Sequence, residues 1–189
     1  MSTQADVLPE PEQSSRTSHP PAAPDQRDAG RLRALFDQHY DALYRLLRRM
    51  GLDGSLADDG AQEAFVVVSH RIADIEPDKE RAFLFATGIR IARRLRDYQA
   101  SKVELEDQAP PSSPRLEDLV DQKRQRELLD RVLGQMEDDL RAVLVLSEIE
   151  GYSKREVAEI LDIPEGTAAS RLRRAREDFN QRLRAAVQP

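Results

Sequence analysis

Residues 151–167, GYSKREVAEILDIPEGT, decide the fold of the C-terminal half of the chain. Ser153 and Glu156 have the spacing of a capping box, in which the serine side chain accepts a backbone hydrogen bond and the glutamate reaches back. Pro164 and Glu165 suit the start of a second helix, because proline fixes a helical φ and an acidic group favours a helix N-terminus. The stretch therefore predicts two helices joined by a short turn.

The second helix of this pair has one apolar face and an arginine-rich surface. Its apolar side chains recur at three- and four-residue steps, which places them on one side of a helix. They are Ala168, Leu172, Ala175 and Phe179. The arginines that follow the turn are Arg171, Arg173, Arg174 and Arg176. A solvated surface helix is the simpler interpretation of an arginine run, but the capped pair before it favours a helix-turn-helix that binds DNA.

Hydrophobic periodicity predicts helices through the rest of the chain as well. The first helix has an apolar face made by Leu32, Leu35, Phe36, Leu43, Leu46 and Leu47. Two further helices are expected over about 56–73 and 79–98, with Phe83, Leu84, Ile89 and Ala92 in the core. In the C-terminal half we expect helices over about 120–135, 137–149, 153–161 and 165–186. The predicted fold class is all-α.

Composition divides the chain into two folded parts and two segments without a core. Residues 1–29 are rich in proline, serine and glutamine and predict a disordered tail. Residues 99–120 contain prolines, serines and acids and predict a flexible linker. Two small helical domains remain, over 30–98 and 121–189. The net charge of −6 lies mainly in the tail and the linker, so it does not argue against binding of nucleic acid by the two domains.

Several classes of site are not expected in this sequence. The chain has no cysteine, which excludes disulfides and zinc–thiolate sites, and its three histidines are far apart. The glycines are scattered, with no phosphate-binding loop, and no nucleophile lies in a pattern with a base. We therefore expect no enzyme activity, no metal and no cofactor. The N-terminus lacks a secretory pattern and no apolar run is as long as a membrane span, which predicts a cytoplasmic protein without direct membrane insertion.

Residues 139–177, DLRAVLVLSEIEGYSKREVAEILDIPEGTAASRLRRARE, resemble region 4 of the bacterial sigma-70 family of RNA polymerase sigma factors. The resemblance is to the small extracytoplasmic-function (ECF) group, in which this region reads the −35 promoter element. It implies a set of DNA-contacting residues in the second helix of the helix-turn-helix. These are Thr167, Ser170, Arg171, Arg173, Arg174 and Arg176.

Residues 57–66, ADDGAQEAFV, resemble the region 2.2 segment of the same family, which grips a coiled coil of the largest polymerase subunit. On a helix, the acids and the amide of this segment form one polar face, while Ala61, Ala64 and Val68 lie on the other. A plain amphipathic helix is the alternative when the segment is considered alone. The resemblance implies a polymerase-binding set of Asp58, Asp59, Gln62, Glu63 and Phe65.

Residues 81–96, RAFLFATGIRIARRLR, resemble regions 2.3–2.4, which handle the −10 promoter element. The resemblance implies that Arg90, Arg93, Arg94 and Arg96 lie along the DNA backbone. It also implies that the loop at about 73–80 captures a base flipped out of the non-template strand. Alternatively, this loop is only a turn between helices.

Together these resemblances imply an ECF-type sigma factor that binds core RNA polymerase, directs it to promoters and helps to melt the −10 region. They imply core polymerase and promoter DNA as partners, and commonly also a cognate anti-sigma factor. The alternative function is a stand-alone helix-turn-helix regulator that binds operators as a dimer. That function requires a dimerisation element and a sensor domain, and residues 30–98 show neither heptads nor an α/β pattern.

Overall fold

The computed structural model describes residues 26–103 and 117–187. These ranges form seven α-helices and contain no strand, which confirms the all-α prediction. The N-terminal domain consists of α1 (Gln26–Arg49), α2 (Gly54–Arg71), a 3₁₀ turn (Ile72–Asp74) and α3 (Glu80–Val103). The C-terminal domain consists of α4 (Glu117–Gly134), α5 (Asp138–Leu144), α6 (Lys154–Leu161) and α7 (Glu165–Val187).

Three helix ends lie beyond the boundaries expected from composition. α1 begins inside the predicted tail, α3 continues for five residues into the predicted linker, and α4 begins inside that linker at Glu117. Most of the expected tail, and residues 104–116 of the expected linker, lie outside the described residues.

The predicted helix signals form the bonds expected of them. Ser153 accepts from the backbone amide of Glu156, and the Glu156 carboxylate accepts from the backbone amide of Ser153 at 2.8 Å, so the capping box is confirmed. α6 ends at Asp162, whose φ of 51° is left-handed. α7 begins at Glu165, directly after Pro164. Side-chain caps of this kind stabilise a helix by about 1 kcal/mol each and fix where it begins.

α5 does not continue as an α-helix to residue 149, as its periodicity predicts. Its last turn, Val145–Ile149, is a π-helix, and the backbone amides of Glu150 and Tyr152 donate to the carbonyls of Val145 and Leu146 at 2.9 Å. A π turn adds a residue to the helical repeat, so the side chains that follow are rotated relative to the α-helical pattern. Sequence periodicity does not report this insertion.

The core of the N-terminal domain lies where α1, α2 and α3 meet. Leu43, Leu46 and Leu47 of α1 are fully buried, as are Ala61, Ala64 and Val68 of α2. Gly88 of α3 faces α1, and a Cβ built there would lie 2.5 Å from Cδ1 of Leu43. A glycine at this position therefore permits the close approach of the two helices.

Two aromatic residues predicted for the core are placed differently. Phe36 is 44% exposed, and Phe83 is only half-buried. The fully buried aromatic residue of α3 is Phe85, whose ring lies 5.3 Å from that of Tyr152 in the C-terminal domain. Phe83 instead lies under the guanidinium of Arg71. The difference arises because α3 packs against the second domain as well as against α1 and α2.

Arg141 ties the two domains together from inside the protein. Its side chain is almost completely buried, with 2% of the residue exposed. It donates to the carbonyl of Met50 at 2.8 Å in the N-terminal domain, and to those of Gly134 and Met136 at 2.8 and 3.0 Å. Burial lowers the pKa of Arg141, because the charged form is desolvated. These carbonyls lie just after α1 and at the end of α4, where helix dipoles favour a cation.

Candidate functional site

The acidic face of α2 contains the residues predicted to contact polymerase. Asp59 and Gln62 are exposed, and Glu63 is half-buried and accepts from Arg94 of α3 at 2.5 Å. Asp58 accepts from the hydroxyl of Tyr40 and, at 2.8 Å, from the amide of Gln62. The bond to Asp58 raises the pKa of Tyr40 to about 12, so the tyrosine stays a neutral donor. Tyr40 of α1 and Arg94 of α3 therefore fix the positions of two acidic side chains on this face.

Phe65 lies beneath this face. It is 7% exposed and its ring packs on Phe36 and Tyr40 of α1, at centroid distances of 5.0 and 6.1 Å. Phe65 therefore supports the face from the core. The exposed apolar side chains beside it are those of Phe36 and Val66, which are 44% and 53% exposed. Phe36 was expected on the apolar face of the first helix, and Val66 was not among the predicted site residues. Val66 lies three and seven residues after Glu63 and Asp59 and so shares their side of the helix.

The four arginines of α3 that were predicted to contact the −10 region do not all point in one direction. Arg93 and Arg96 turn toward the C-terminal domain, where Arg93 Nη2 lies 2.6 Å from Asp139 and Arg96 forms a two-pronged pair with Asp138. Arg94 turns toward α2, where it pairs with Glu63. Arg90 is exposed and donates to the hydroxyl of Thr87 at 3.1 Å. Arg94 therefore lies apart from Arg93 and Arg96, which both face the C-terminal domain.

The loop before α3 is held at both of its ends. Arg31 of α1 donates to the backbone carbonyl of Ile75 at 2.6 Å and pairs with Glu80 at 2.5 Å. At the other end, Lys79 pairs with Glu159 of α6 at 2.6 Å. Arg81 pairs with Glu156 at 2.5 Å, and its guanidinium lies 5.2 Å from the centre of the Tyr152 ring. The predicted base-capturing loop therefore lies against the first helix of the helix-turn-helix.

The predicted DNA-reading residues of α7 lie on its outer surface around a buried stripe. Ala168, Leu172 and Ala175 are buried, as predicted, and Phe179 packs against their edge. Thr167 is half-buried and accepts through its backbone carbonyl from the hydroxyl of Ser170 at 3.0 Å.

Of the four arginines predicted to contact the −35 element, three have acidic partners. Arg171 pairs with Asp139 at 2.9 Å, Arg173 with Glu177 at 3.2 Å and Arg176 with Glu148 at 2.6 Å. Arg174 is exposed and forms no ion pair with any residue that the structure describes. Among these four, it is therefore the arginine most available to a ligand from solution.

One carboxylate brings the two predicted DNA-binding surfaces together. Asp139 of α5 accepts from Arg93 of α3 through one oxygen and pairs with Arg171 of α7 through the other. Next to it, Asp138 has a pKa below its usual value, chiefly because of its hydrogen bonds with Arg96. A groove of about 410 Å³ runs between the domains here, and Arg90, Arg93 and Arg171 line it. Asp138 and Asp139 were not among the predicted site residues, because an acidic first turn is ordinary in a helix.

Within the described ranges, every helix is too short or too polar to cross a lipid bilayer.

Family models match both domains. Residues 35–102 match the model described as Sigma-70 region 2, and residues 126–179 match the model described as Sigma-70, region 4. The chain is 31% identical over 153 residues to the RNA polymerase sigma factor CarQ of Myxococcus xanthus, a match that covers 79% of this chain and 87% of CarQ. It is 29% identical to the ECF RNA polymerase sigma factor SigE of Mycolicibacterium smegmatis, over 79% of this chain but only 60% of SigE.

Solved structures resemble the chain over most of its length. The RNA polymerase sigma factor CnrH of Cupriavidus metallidurans is 29% identical over 87% of this chain and 91% of CnrH. Its structure in complex with the cytosolic domain of CnrY superimposes with a TM-score of 0.64, at 27% identity, over 84% of this chain and 95% of that one. The sigma factor RpoE of Bartonella quintana, solved with the anti-sigma factor NepR, shares the fold with a TM-score of 0.60 at 19% identity, over 80% of this chain and 96% of that one.

Proposed function

The chain belongs to the ECF group of the sigma-70 family of RNA polymerase sigma factors, and we propose that it binds core RNA polymerase and directs it to promoters. Sigma factors are transcription initiation factors rather than enzymes, and we propose no catalytic activity for this chain. The observation that carries the proposal is the presence, in one chain, of an acidic docking face on α2 and an arginine-bearing helix-turn-helix.

The docking face suits a basic coiled coil of the polymerase. Asp59 and Gln62 offer exposed polar groups, and Glu63 is held in place by Arg94. Phe36 and Val66 add apolar area beside these groups, as is typical of interfaces that bury an apolar centre within a polar rim. We propose that Phe65 supports this face from below and that Asp58 and Tyr40 fix its geometry. Acidic side chains also steer a basic partner during encounter.

We propose that α3 and the loop before it act on the −10 element. Arg90, Arg93 and Arg96 supply positive charge for DNA phosphates, since arginine binds phosphate through two parallel hydrogen bonds. Arg94 is better placed to orient Glu63 at the docking face than to contact DNA. Extraction of a base from a duplex costs a few kcal/mol, and contacts to the flanking phosphates offset that cost.

We propose that α7 reads the −35 element through its N-terminal half. Thr167 and Ser170 lie at the end that follows the turn, and the exposed guanidinium of Arg174 lies one turn further on. In helix-turn-helix proteins, the N-terminal residues of the recognition helix contact base edges in the major groove. We assign Arg171, Arg173 and Arg176 to the same surface, with contacts to phosphates.

The proposed organisation has a tail over 1–29, a polymerase-binding and melting domain over 30–98, a linker over 99–120 and a promoter-reading domain over 121–189. The linker is acidic, with five acids against two basic residues over 99–120. Like charge keeps such a segment away from duplex DNA while it connects the two domains. We place the protein in the cytoplasm with the polymerase.

We further propose a cognate anti-sigma factor as a partner. The support is that the structures of two similar proteins were solved as complexes. CnrH was solved with the cytosolic domain of CnrY, and RpoE with the anti-sigma factor NepR. The groove between the domains is lined by arginines and by apolar side chains such as Ile89 and Ile163, and we propose it as part of the surface for such a partner.

The test of the function is a pull-down of core RNA polymerase with the purified full chain, followed by gel-shift on promoter fragments. The proposal expects a stoichiometric holoenzyme, with specific DNA binding that requires core polymerase. A chain that ignores polymerase and binds an operator alone as a dimer contradicts it and favours the stand-alone regulator.

A further inference from the structure

The loop before α3, residues 75–79, is exposed along most of its length. Residues 76–79 are exposed, and Ile75 is half-buried. Within the loop, the backbone amide of Lys79 donates to the carbonyl of Glu76 at 2.8 Å, which closes a tight turn. A bond of this kind shapes the turn but leaves its position on the domain free. A contact with another element is therefore needed to hold the loop in one place.

Arg31 of α1 provides this contact on either side of the exposed turn. Its Nη2 donates to the backbone carbonyl of Ile75 at 2.6 Å, and its Nε donates to the carboxylate of Glu80 at 2.5 Å. Its Nη1 donates to Asp28, one turn earlier in α1, at 2.9 Å. The guanidinium is planar and its donors have a fixed geometry, so it sets the positions of these acceptors relative to one another. One side chain thus holds both ends of the loop against the first helix.

The carboxylate that Arg31 binds is buried. Glu80 is 8% exposed and lies at the first residue of α3. A buried carboxylate requires a partner, because its charged form loses its hydration. Arg31, Ile75 and Glu80 all belong to the N-terminal domain, so their contacts do not depend on where the C-terminal domain lies. The position of the loop is therefore fixed from within the domain that is proposed to act on the −10 element.

We propose that Arg31 is a positioning residue for base capture, and that its guanidinium holds the loop before α3 in the shape that accepts a base from the non-template strand. The inference rests on the proposed function, because it requires this loop to capture a base. Fixing the backbone of each loop residue costs conformational entropy. A loop that is already ordered does not incur this cost when the base arrives, so more of the free energy of its contacts remains for capture.

A purely structural role for Arg31 leads to a different result. If Arg31 only stabilised the domain, its replacement would change the binding of every DNA probe alike, or of none once the chain is folded. If Arg31 positions the loop, its replacement weakens the recognition of one base and leaves the binding of phosphates and of polymerase as it was. The two roles are therefore separated by a measurement that isolates the contribution of a single base.

The test measures base capture by the holoenzyme on single-stranded DNA. A promoter is first selected from a random pool with the wild-type holoenzyme. Oligonucleotides with the non-template sequence of its −10 element are then made, each with one base replaced by an abasic site. The quantity compared is the Kd of each abasic oligonucleotide divided by the Kd of the intact one, which we call the abasic ratio. A lost phosphate contact raises both Kd values alike and leaves this ratio unchanged.

Arg31→Lys is the main variant. Lysine keeps a positive charge beside Glu80, but its compact ammonium does not reproduce the planar set of donors that joins Glu80 to the carbonyl of Ile75. Arg33→Lys is the matched control, since Arg33 lies on the same helix, its side chain is 84% exposed and its partner Asp37 is on that helix too. Thermal unfolding and the Kd for core polymerase are measured for each protein, and the DNA is titrated at a temperature at which all are folded.

We expect an abasic ratio of about ten at one or more positions for the wild type and for Arg33→Lys, as expected for the loss of a base that is stacked on protein. In Arg31→Lys, the ratio at one of these positions should fall at least about threefold, because the loop must be ordered during capture. The ratios at the other positions and the Kd for core polymerase should not change.

Two outcomes would overturn the inference. One is an Arg31→Lys variant whose abasic ratios equal those of Arg33→Lys at every position, and the other is an equal fall in the ratios at all positions. If Arg31→Lys does not fold, Arg31→Met/Glu80→Met is measured in its place, since the replacement of both charges of a buried pair by apolar groups is often neutral for stability. A wild-type chain that forms no holoenzyme, or that binds every abasic oligonucleotide as tightly as the intact one, contradicts the proposed function itself.

Discussion

The guanidinium of Arg93 and the carboxylate of Asp139 lie 2.6 Å apart, although the two residues belong to different domains and are separated by 46 positions in the chain. DNA that binds Arg93 must first displace this carboxylate. The measured affinity of the free chain for DNA thus contains the free energy of breaking the pair, and a variant at either residue changes more than one contact.

Arg174→Ala should weaken binding of the holoenzyme to the −35 element by about 1–3 kcal/mol if the lost contact is to a base. Arg174 is exposed and forms no ion pair among the described residues, so its loss leaves no carboxylate unpaired. The measurement is a competition gel-shift on promoters with altered −35 sequences. Arg184→Ala, an exposed arginine further along the same helix, serves as the control. Equal promoter selection by both variants contradicts the placement of the recognition surface.

Arg171→Ala should weaken binding of the holoenzyme about equally on all −35 sequences and lower the salt slope of the affinity by about one, as expected for the loss of a phosphate contact. In the free chain its effect is smaller than that of Arg174→Ala, because Arg171 is already bound to Asp139 and gives up that pair when DNA binds. The measurement is the affinity of each variant with and without core polymerase. An effect of Arg171→Ala that is as large in the free chain as in the holoenzyme would disprove this account.

Asp59→Lys should reduce the affinity for core polymerase at least about tenfold, since like charges brought together at an interface cost several kcal/mol. The side chain is exposed, so the helical content and the thermal unfolding of the chain should not change. Asp37→Lys is the matched control, because Asp37 is an exposed acid on α1 whose partner is Arg33. Co-purification with core polymerase gives the readout. Undiminished holoenzyme formation by Asp59→Lys would show that α2 does not provide the polymerase-binding face.

Arg141→Met should destabilise the folded chain by about 1.5–3 kcal/mol, as expected for the loss of hydrogen bonds to a charged donor. Methionine keeps most of the buried volume, but the carbonyls of Met50, Gly134 and Met136 lose their donor. Urea unfolding followed by circular dichroism measures the change. Arg141→Lys keeps the charge but has fewer directed donors, so its free energy of unfolding should lie between those of the wild type and Arg141→Met. A stable methionine variant would mean that desolvation of the cation already cancels its hydrogen bonds.

The contribution of Glu156 to stability should disappear in acid. Hydrogen bonds from Ser153, and then the one from Arg81, lower the pKa of Glu156 from 4.5 to about 2 in the folded chain. A folded pKa below the unfolded value means that the stabilisation is present above about pH 4.5 and is lost as the pH falls toward 2. The difference in free energy of unfolding between wild type and Glu156→Gln should therefore shrink over this range.

Glu165→Gln is the control for the acid experiment, because Glu165 also lies in the first turn of a helix and is exposed. The measurement is urea unfolding at several pH values between about 6 and 2. A difference between wild type and Glu156→Gln that stays constant across this range contradicts the assignment of the lowered pKa to this residue.

The C-terminal fold could be predicted from the sequence because its signals are local. Ser153 and Glu156 cap α6, and Pro164 with Glu165 starts α7, within a few residues of the bonds that they form. The π turn could not be predicted in this way. The apolar side chains around Val145 fit an α-helix equally well, so no local pattern reports the extra residue.

Local periodicity also could not predict which aromatic side chain of α3 is buried. Phe83 and Phe85 are both apolar and two positions apart, so periodicity alone allows either to be the buried one. Contact with Tyr152, which lies 67 positions after Phe85, decides for Phe85. Likewise, the types of the arginines at 90–96 indicate phosphate binding, but their partners Asp138 and Asp139 come from a helix whose position no local pattern reports.

Arg141 reaches across the domain boundary. Among the described residues, the hydrogen bonds it donates go to backbone carbonyls and not to side chains. Every amino acid carries a carbonyl, so replacement of Met50, Gly134 or Met136 leaves the acceptor in place provided that the backbone keeps its course. The ion pairs at the interface, in contrast, are lost when either partner changes. Over evolutionary time the surface contacts between the domains are thus free to diverge, while Arg141 keeps its acceptors and helps to preserve the way in which the two halves fit together.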